Sequence, residues 1–248
     1  MKKLYLVLNL LICSIFVSCN EQNQQKDDII KFAICADYPP FEYINNNSFE
    51  GFDIDLAKLI SREIGKKVEF MDMDFNNIFF AIQNGIVDAG ISTINSSPER
   101  NKNFSFSLPY YSEDIAIIYR VDKPLPNIAA IGNSKIAVQL GTVYENWSKK
   151  IIPDTDLYLK NTTVHSVESL KARHVDGVIL DLPQAKIFTK RNKGLAFSKI
   201  GEDASGFTIV YKKNAFLKEK IDQAIIKLKK NSEIEKLRIK HISSLDNE

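Results

Sequence analysis

Two stretches of the chain share one pattern, and it restricts the fold more than any other feature. Ile82-Gln-Asn-Gly-Ile-Val-Asp88-Ala-Gly-Ile-Ser92-Thr93 and Leu170-Lys-Ala-Arg-His-Val-Asp176-Gly-Val-Ile-Leu-Asp181 each read as helix end, turn, Val-Asp, short apolar strand, polar residue. An apolar residue stands six places before the Asp in both. A helix feeding a short apolar strand belongs to βα alternation and a largely parallel sheet. Ligands of such sheets sit beyond the carboxyl ends of the strands. The first copy ends in Ser92 and Thr93 and leads on to Asn95 and Arg100; the second ends in Asp181. Two units of this kind facing one another set a cation on one wall and an anion on the other. That arrangement suits a zwitterion.

The surrounding periodicity extends the repeat. Strands are predicted at Lys31–Cys35, Val68–Met71 and Ala89–Thr93, with helices over Asp53–Gly65 and Asn76–Asn84. Pro39 and Pro40 stop the first strand, and Asn45–Ser48 reads as a hairpin turn. After Asp122-Lys-Pro-Leu-Pro126 the order recurs: strands at Lys135–Gln139, Leu157–Lys160 and Gly177–Leu180, helices at Tyr144–Lys150, Val167–Arg173 and Leu182–Lys190. A strand at Phe207–Lys212 and an amphipathic helix carrying Leu217, Ile221, Ala224, Ile225 and Leu228 follow. Ser232-Glu-Ile-Glu235 reads as a capping box for a last helix. The expected fold class is therefore α/β in two lobes, each a mostly parallel sheet flanked by helices. Residues 29–113 and 206–248 form lobe one and residues 114–205 lobe two. Crossings near Ser112–Asp114 and Ile200–Gly206 would make a two-strand hinge that closes on a ligand.

Composition narrows the function. With 248 residues and 44% hydrophobic content the chain can bury a sizeable core. Residues 1–18 read as a signal peptide, with Lys2-Lys3 before a short apolar run. Its removal leaves 31 basic against 31 acidic residues. That balance, without a basic cluster, argues against nucleic acid as a partner. Phe16-Val-Ser18-Cys19 resembles a lipoprotein box with Cys19 as the lipidated residue; an ordinary cleaved signal or an uncleaved anchor are the alternatives. Residues 19–28 would then be a polar tether. Cys35 is the one thiol left in the folded part, so no disulfide is expected there. His165, His174 and His241 are scattered, and no metal-ligand spacing occurs. No metal and no cofactor are expected.

Five motifs in collinear order carry a resemblance. Asp37-Tyr-Pro-Pro-Phe-Glu42, Gly51-Phe-Asp-Ile-Asp-Leu-Ala57, Ser97-Pro-Glu-Arg100 with Phe106-Ser-Leu-Pro-Tyr110, Gln139-Leu-Gly-Thr142, and Val175-Asp-Gly-Val-Ile-Leu-Asp181 are similar to blocks of the bacterial family 3 extracellular solute-binding proteins. These are receptors of polar amino-acid ABC importers, and the resemblance covers about residues 29–243. It implies a type II periplasmic-binding-protein-like fold and roles for single residues. Arg100 would grip an α-carboxylate with two parallel donors; a surface arginine beside Glu99 is the alternative. Gln139 lies in the first lobe-two block. Thr142 and the amide of Val143, at a helix start, would complete the carboxylate site. Asp181 would accept from the α-ammonium, aided by the Ser92 carbonyl and the Thr93 hydroxyl, unless it caps the following helix. Asn95 stands where Ser or Thr is common. Tyr38 and Phe75 would sandwich the ligand side chain, or belong to the core. Members that bind lysine or arginine carry an acid where this chain has Cys35, which leans the reading toward a neutral polar ligand.

The resemblance implies an amino acid as small-molecule partner, a membrane permease as protein partner, and a monomer held at the membrane by lipid on Cys19, in the periplasm or at the cell surface. It implies a binding protein with no catalytic residue. A dehydratase on the same fold is the alternative, with Glu145 or Asp37 as its acid.

Overall fold

The computed structural model describes residues 28–202 and 205–243. The predicted signal segment, Cys19 and the tether up to residue 27 lie outside them.

Two five-stranded sheets carry the fold. The first is built from β1 (Ile29–Ile34), β5 (Lys67–Asp72), β6 (Ala89–Asn95), β7 (Phe104–Phe106) and β13 (Phe207–Lys212), in the order β5-β1-β6-β13-β7. The second uses β8 (Asp114–Arg120), β9 (Lys135–Gln139), β10 (Asp156–Lys160), β11 (Gly177–Asp181) and β12 (Leu195–Glu202), in the order β10-β9-β11-β8-β12. Three parallel strands in each come from the βα repeat, and the two further strands pair antiparallel. Each sheet is thus mixed, because β8 and β13, the strands that enter a lobe after each crossing, run against the repeat. A third, small sheet joins β2 (Asp37–Tyr38), β3 (Glu42–Asn45) and β4 (Ser48–Glu50). Asn46 and Asn47 turn it with φ of 46° and 61°, the left-handed pair of a two-residue hairpin.

Helices α1 (Phe52–Glu63), α2 (Phe75–Gln83), α3 (Arg100–Asn103), α8 (Leu217–Lys230) and α9 (Glu233–His241) flank the first sheet. Helices α4 (Ile128–Ile131), α5 (Val143–Ile151), α6 (Thr163–Lys171) and α7 (Leu182–Arg191) belong to the second lobe. Period-two alternation assigns the faces. Ile30, Phe32 and Ile34 of β1 pack with residues of α1, α8 and α9, whereas Ala33 and Cys35 pack with Phe75, Ile78 and Ile82 of α2. In lobe two, Ile136 and Val138 face one core layer and Ala137 the other. Each such Ile or Phe contributes about 1.5–3 kcal/mol on burial, which explains why central strands read as continuous apolar runs.

The repeated Val-Asp pattern has one structural job in both lobes. Asp88 Oδ2 accepts from Lys31 N at 2.8 Å, and Asp88 N donates to Lys31 O at 3.0 Å. Asp176 does the same with Lys135, at 3.0 and 2.6 Å. Each Asp therefore ties the start of the third parallel strand to the start of the first. Three residues earlier both turns are left-handed, at Gly85 (φ 68°) and Arg173 (φ 63°).

The crossings run side by side. Phe207 N donates to Tyr111 O at 2.7 Å, Tyr110 N to Phe207 O at 2.9 Å, and Asp114 pairs with Glu202. One expectation fails at the last helix. Ser232 lies at φ 59°, not in extended backbone, and its side chain caps nothing, while Glu235 turns to Arg238 at 2.8 Å. The capping box does not form.

Candidate functional site

The carboxyl ends of the parallel strands meet across the cleft between the lobes. On the lobe-one side, the loop after β1 is held by the start of α1. Phe52 N and Asp53 N, helix-terminal donors without partners inside the helix, donate to Pro40 O (2.9 Å) and Phe41 O (2.8 Å). Gly51 permits this approach: its φ is 126°, and a Cβ there would stand 2.2 Å from Phe41 O. Phe41 is fully buried beneath the loop against Phe52 and Phe207. Tyr38 is thereby fixed at the cleft, and Phe75 starts α2 beside it.

The end of β6 is bent. Thr93 has φ 46°, and its amide donates to Asp53 Oδ2 at 2.8 Å. Ser92 points its hydroxyl into lobe one, donating to Glu42 Oε1 (2.6 Å) and accepting from Cys35 N (3.1 Å). Its side chain therefore does not line the cleft. Asn95 Nδ2 donates to Gly206 O at 3.2 Å.

Arg100 opens α3 and spans the cleft. Its Nη1 donates to Asn95 O and its Nη2 to Gly141 O of lobe two, both at 2.5 Å. The guanidinium lies 4.7 Å from the Phe79 ring centre and 5.9 Å from that of Phe75, within cation–π range. Burial lowers its pKa to about 10, so it stays charged at neutral pH. Among the described residues it has no carboxylate partner, and its burial across the cleft is not that of a surface arginine beside Glu99.

Lobe two answers with polar groups on three strand ends. Gln139 Nε2 donates to Asn161 O (3.1 Å), its Oε1 accepts from Thr163 Oγ1 (3.3 Å), and its backbone O accepts from Thr142 Oγ1 (2.8 Å). Gly141 turns at φ 78°, and Val143 begins α5 just beyond it. Asp181 is 1% exposed and accepts hydrogen bonds from the hydroxyls of Tyr38 and Tyr144. Burial and then Asp181 push the Tyr38 hydroxyl well above its ordinary pKa, keeping it a donor. Asp181 occupies the N-cap position of α7, yet its side chain makes no cap bond; the capping alternative fails because the carboxylate turns into the cleft. Gln184, one turn into α7, donates from Nε2 to Pro39 O of the opposite lobe.

These groups enclose a small cavity of about 20 Å³ lined by Tyr38, Phe75, Thr93, Asn95, Gln139 and Thr142, with Tyr144, Thr163 and Asp181 completing the polar wall. Seven of the ten expected ligand residues thus line one cavity; Ser92, Arg100 and Val143 lie outside its lining. Tyr144, Thr163 and Gln184 were missing from the expected set. Glu145 does not present a free acid: its Oε2 accepts from Gly141 N (3.2 Å) and its Oε1 from Lys149 (2.6 Å). Among the described residues, no cluster of three or more His, Cys, Asp or Glu side chains could hold a metal ion.

Comparison with known proteins identifies the family and the fold. The model of the bacterial extracellular solute-binding proteins, family 3, matches residues 30–244, and the chain belongs to that family. It is similar to the arginine-binding extracellular protein ArtP of Bacillus subtilis, with 29% identity over 97% of this chain and 98% of the relative. Among solved structures, an ancestral arginine-binding protein bound to arginine shares 32% identity and a TM-score of 0.80, covering 86% of this chain and 98% of the other. The amino acid ABC transporter substrate-binding protein AbpA from Streptococcus pneumoniae, bound to L-arginine, shares 29% identity and a TM-score of 0.82, covering 89% and 97%. These relatives are binding proteins, and the fold is the two-lobed one that they share.

Proposed function

We propose that this protein is the extracytoplasmic receptor of an ABC importer and captures an α-amino acid by closure of the two lobes. One observation carries the reading: Arg100 from lobe one, a charged guanidinium with no carboxylate partner among the described residues, and Asp181 from lobe two flank the same cleft. An α-carboxylate would displace the Gly141 carbonyl on Arg100 and reach the Val143 amide; an α-ammonium would meet Asp181 and the open side of Thr93. Tyr38 and Phe75 would hold the side chain between them.

Arginine is the ligand to test first. The names of the relatives support it, and so does Asp37, whose carboxyl stands beside Cys35 in place of the missing acid. Asp37 Oδ1 accepts from Cys35 Sγ at 3.3 Å, while Oδ2 is buried without a donor. Burial raises its pKa, and a cationic side chain would reverse that. This reading moves the expectation from a neutral ligand to a basic one. Mass spectrometry of ligand released by mild denaturation, followed by calorimetry with L-arginine, L-lysine, L-histidine and L-glutamine, tests it. Arginine should bind at least tenfold tighter than glutamine; the reverse order would return the choice to a neutral ligand.

The receptor reading includes a membrane permease as partner, a monomeric state, and anchoring by lipid on Cys19, in the periplasm or on the cell surface. No described helix is long and apolar enough to cross a membrane. A diacylglycerol with a further acyl chain would give stable attachment. Labelling with a palmitate analogue should vanish in Cys19→Ala; retained label would rule the anchor out.

A further inference from the structure

We infer that Glu42 and Asp53 share one proton and, as a carboxylic acid–carboxylate pair, position the backbone of the lobe-one half of the ligand site. The inference does not depend on which amino acid is bound. Glu42 is 1% exposed and Asp53 0%. Each carboxyl has one oxygen fully engaged. Glu42 Oε1 takes the Ser92 hydroxyl at 2.6 Å, and Asp53 Oδ2 takes the Thr93 amide and the Tyr110 hydroxyl, each at 2.8 Å. The other oxygens, Glu42 Oε2 and Asp53 Oδ1, are buried and meet no donor, and the two carboxyls hold successive residues of one strand, Ser92 and Thr93. No cationic side chain pairs with either among the described residues. The groups facing Glu42 are Asp53, Ser92, Asp37 and Asp181, with the Tyr38 and Tyr110 hydroxyls and the Cys35 thiol nearby; those facing Asp53 are Glu42, Tyr110 and the Thr93 amide. Two bare anions in such a place repel, and neither keeps its water. A single proton shared by the two carboxyls would give the orphaned oxygens a donor and halve the buried charge. Burial first, and then for Glu42 the charge of Asp53, push both pKa values upward, in keeping with a retained proton.

The pair sits where the ligand-bearing segments meet. Through Ser92 Oγ, which also accepts from Cys35 N, Glu42 ties the end of β1 to the end of β6. Asp53 ties the start of α1 to Thr93, held at φ 46°, and to Tyr110 on the crossing toward lobe two. Loss of the proton would push these attachments apart.

Infrared difference spectra of the purified protein, with carboxyl-labelled Glu and Asp, should show a protonated-carboxyl C=O band at neutral pH. The band should be lost in both Glu42→Gln and Asp53→Asn, since each amide supplies the donor without the acid. Its absence in the parent, or its persistence in both variants, would overturn the pair. Glu42→Gln should melt within about 2 °C of the parent, whereas Glu42→Ala, which leaves Ser92 and Asp53 unsatisfied, should fall by roughly 5 °C or more. Exchange of the Thr93 amide should remain slow in the Gln variant and accelerate in the Ala variant. Equal damage from Gln and Ala contradicts the shared proton. The pH dependence has a fixed sign. The folded pKa is raised, so the stability linked to this proton is full below the ordinary carboxyl range and declines as pH rises toward the pair's own value. Glu42→Gln lacks that decline and should gain on the parent with rising pH; a loss instead would count against the proposal.

Discussion

The two lobes are alike at one edge of their sheets and unlike at the other. At the amino ends of the parallel strands, Asp88 and Asp176 make the same reciprocal bonds to Lys31 and Lys135, after left-handed turns at Gly85 and Arg173. At the carboxyl ends the positions correspond but the charged groups differ. Lobe one offers Thr93, Asn95 and the Arg100 guanidinium; lobe two offers Gln139, Thr142 and the Asp181 carboxylate. The frame is a duplicated solution to packing, and the proposed recognition groups stand where strands end. Substitutions at the two edges should therefore separate stability from binding.

The largest effects belong to the unlike edge. Arg100→Ala and Asp181→Ala should each weaken amino-acid binding by about 2–5 kcal/mol, because each leaves a buried ligand charge without its counterpart. The melting temperature of Arg100→Ala should hardly move, and that of Asp181→Ala should fall only by the few degrees that the lost acceptor of the Tyr38 and Tyr144 hydroxyls costs. Lys at position 100 should rescue only in part, since an ammonium cannot offer two parallel donors. Strong destabilisation of either Ala variant would assign these residues to the frame.

Next comes the turn that closes against lobe one. A Cβ at Gly141 would stand 1.8 Å from Asn76 Oδ1, and φ there is 78°. Gly141→Ala combines about 1–2 kcal/mol of left-handed strain with that clash. It should weaken binding roughly tenfold or more, and scattering should show less compaction with ligand. Full compaction in the variant would show that this contact is no part of closure.

Smaller effects, and in stability alone, are expected at the like edge. Asp88→Ala and Asp176→Ala should lower stability by about 1–3 kcal/mol through the unsatisfied Lys31 and Lys135 amides. Asp176→Ala should cost more, since Asp176 also pairs with Lys123 at 2.8 Å and is less exposed. Chemical denaturation measures both; altered ligand affinity in either variant would break the division between frame and site.

Much of the frame was legible because the repeat is a backbone pattern with apolar periodicity. Lys135–Gln139 and Phe207–Lys212 emerge with the predicted bounds. Short elements such as β7 and α3 carry too few residues for a period to show. Among the candidate residues, the ones at strand ends could be placed at the cleft from the sequence, but their partners depend on the facing lobe. Ser92 turns inward because Glu42 lies beneath it, a contact between positions fifty residues apart. Thr163 was missed although the repeat could have marked it: like Phe75, it is the first residue of the helix that follows the second parallel strand. Tyr144 follows the first strand of lobe two as Tyr38 follows that of lobe one, and both hydroxyls reach Asp181. Ser232 read as a cap because composition does not reveal a left-handed backbone.

The central claim is that opposed charges from the two lobes hold an α-amino acid. Titration calorimetry with L-arginine, its α-amide and its Nα-acetyl derivative tests it most directly. If a different amino acid co-purifies, its amide and acetyl derivatives take their place. The intact zwitterion should bind near the micromolar range, about −8 kcal/mol. The amide lacks the carboxylate for Arg100 and the acetyl derivative lacks the ammonium for Asp181, so each should bind at least about 2 kcal/mol more weakly. Equal affinity for the amino acid and both derivatives would contradict the account.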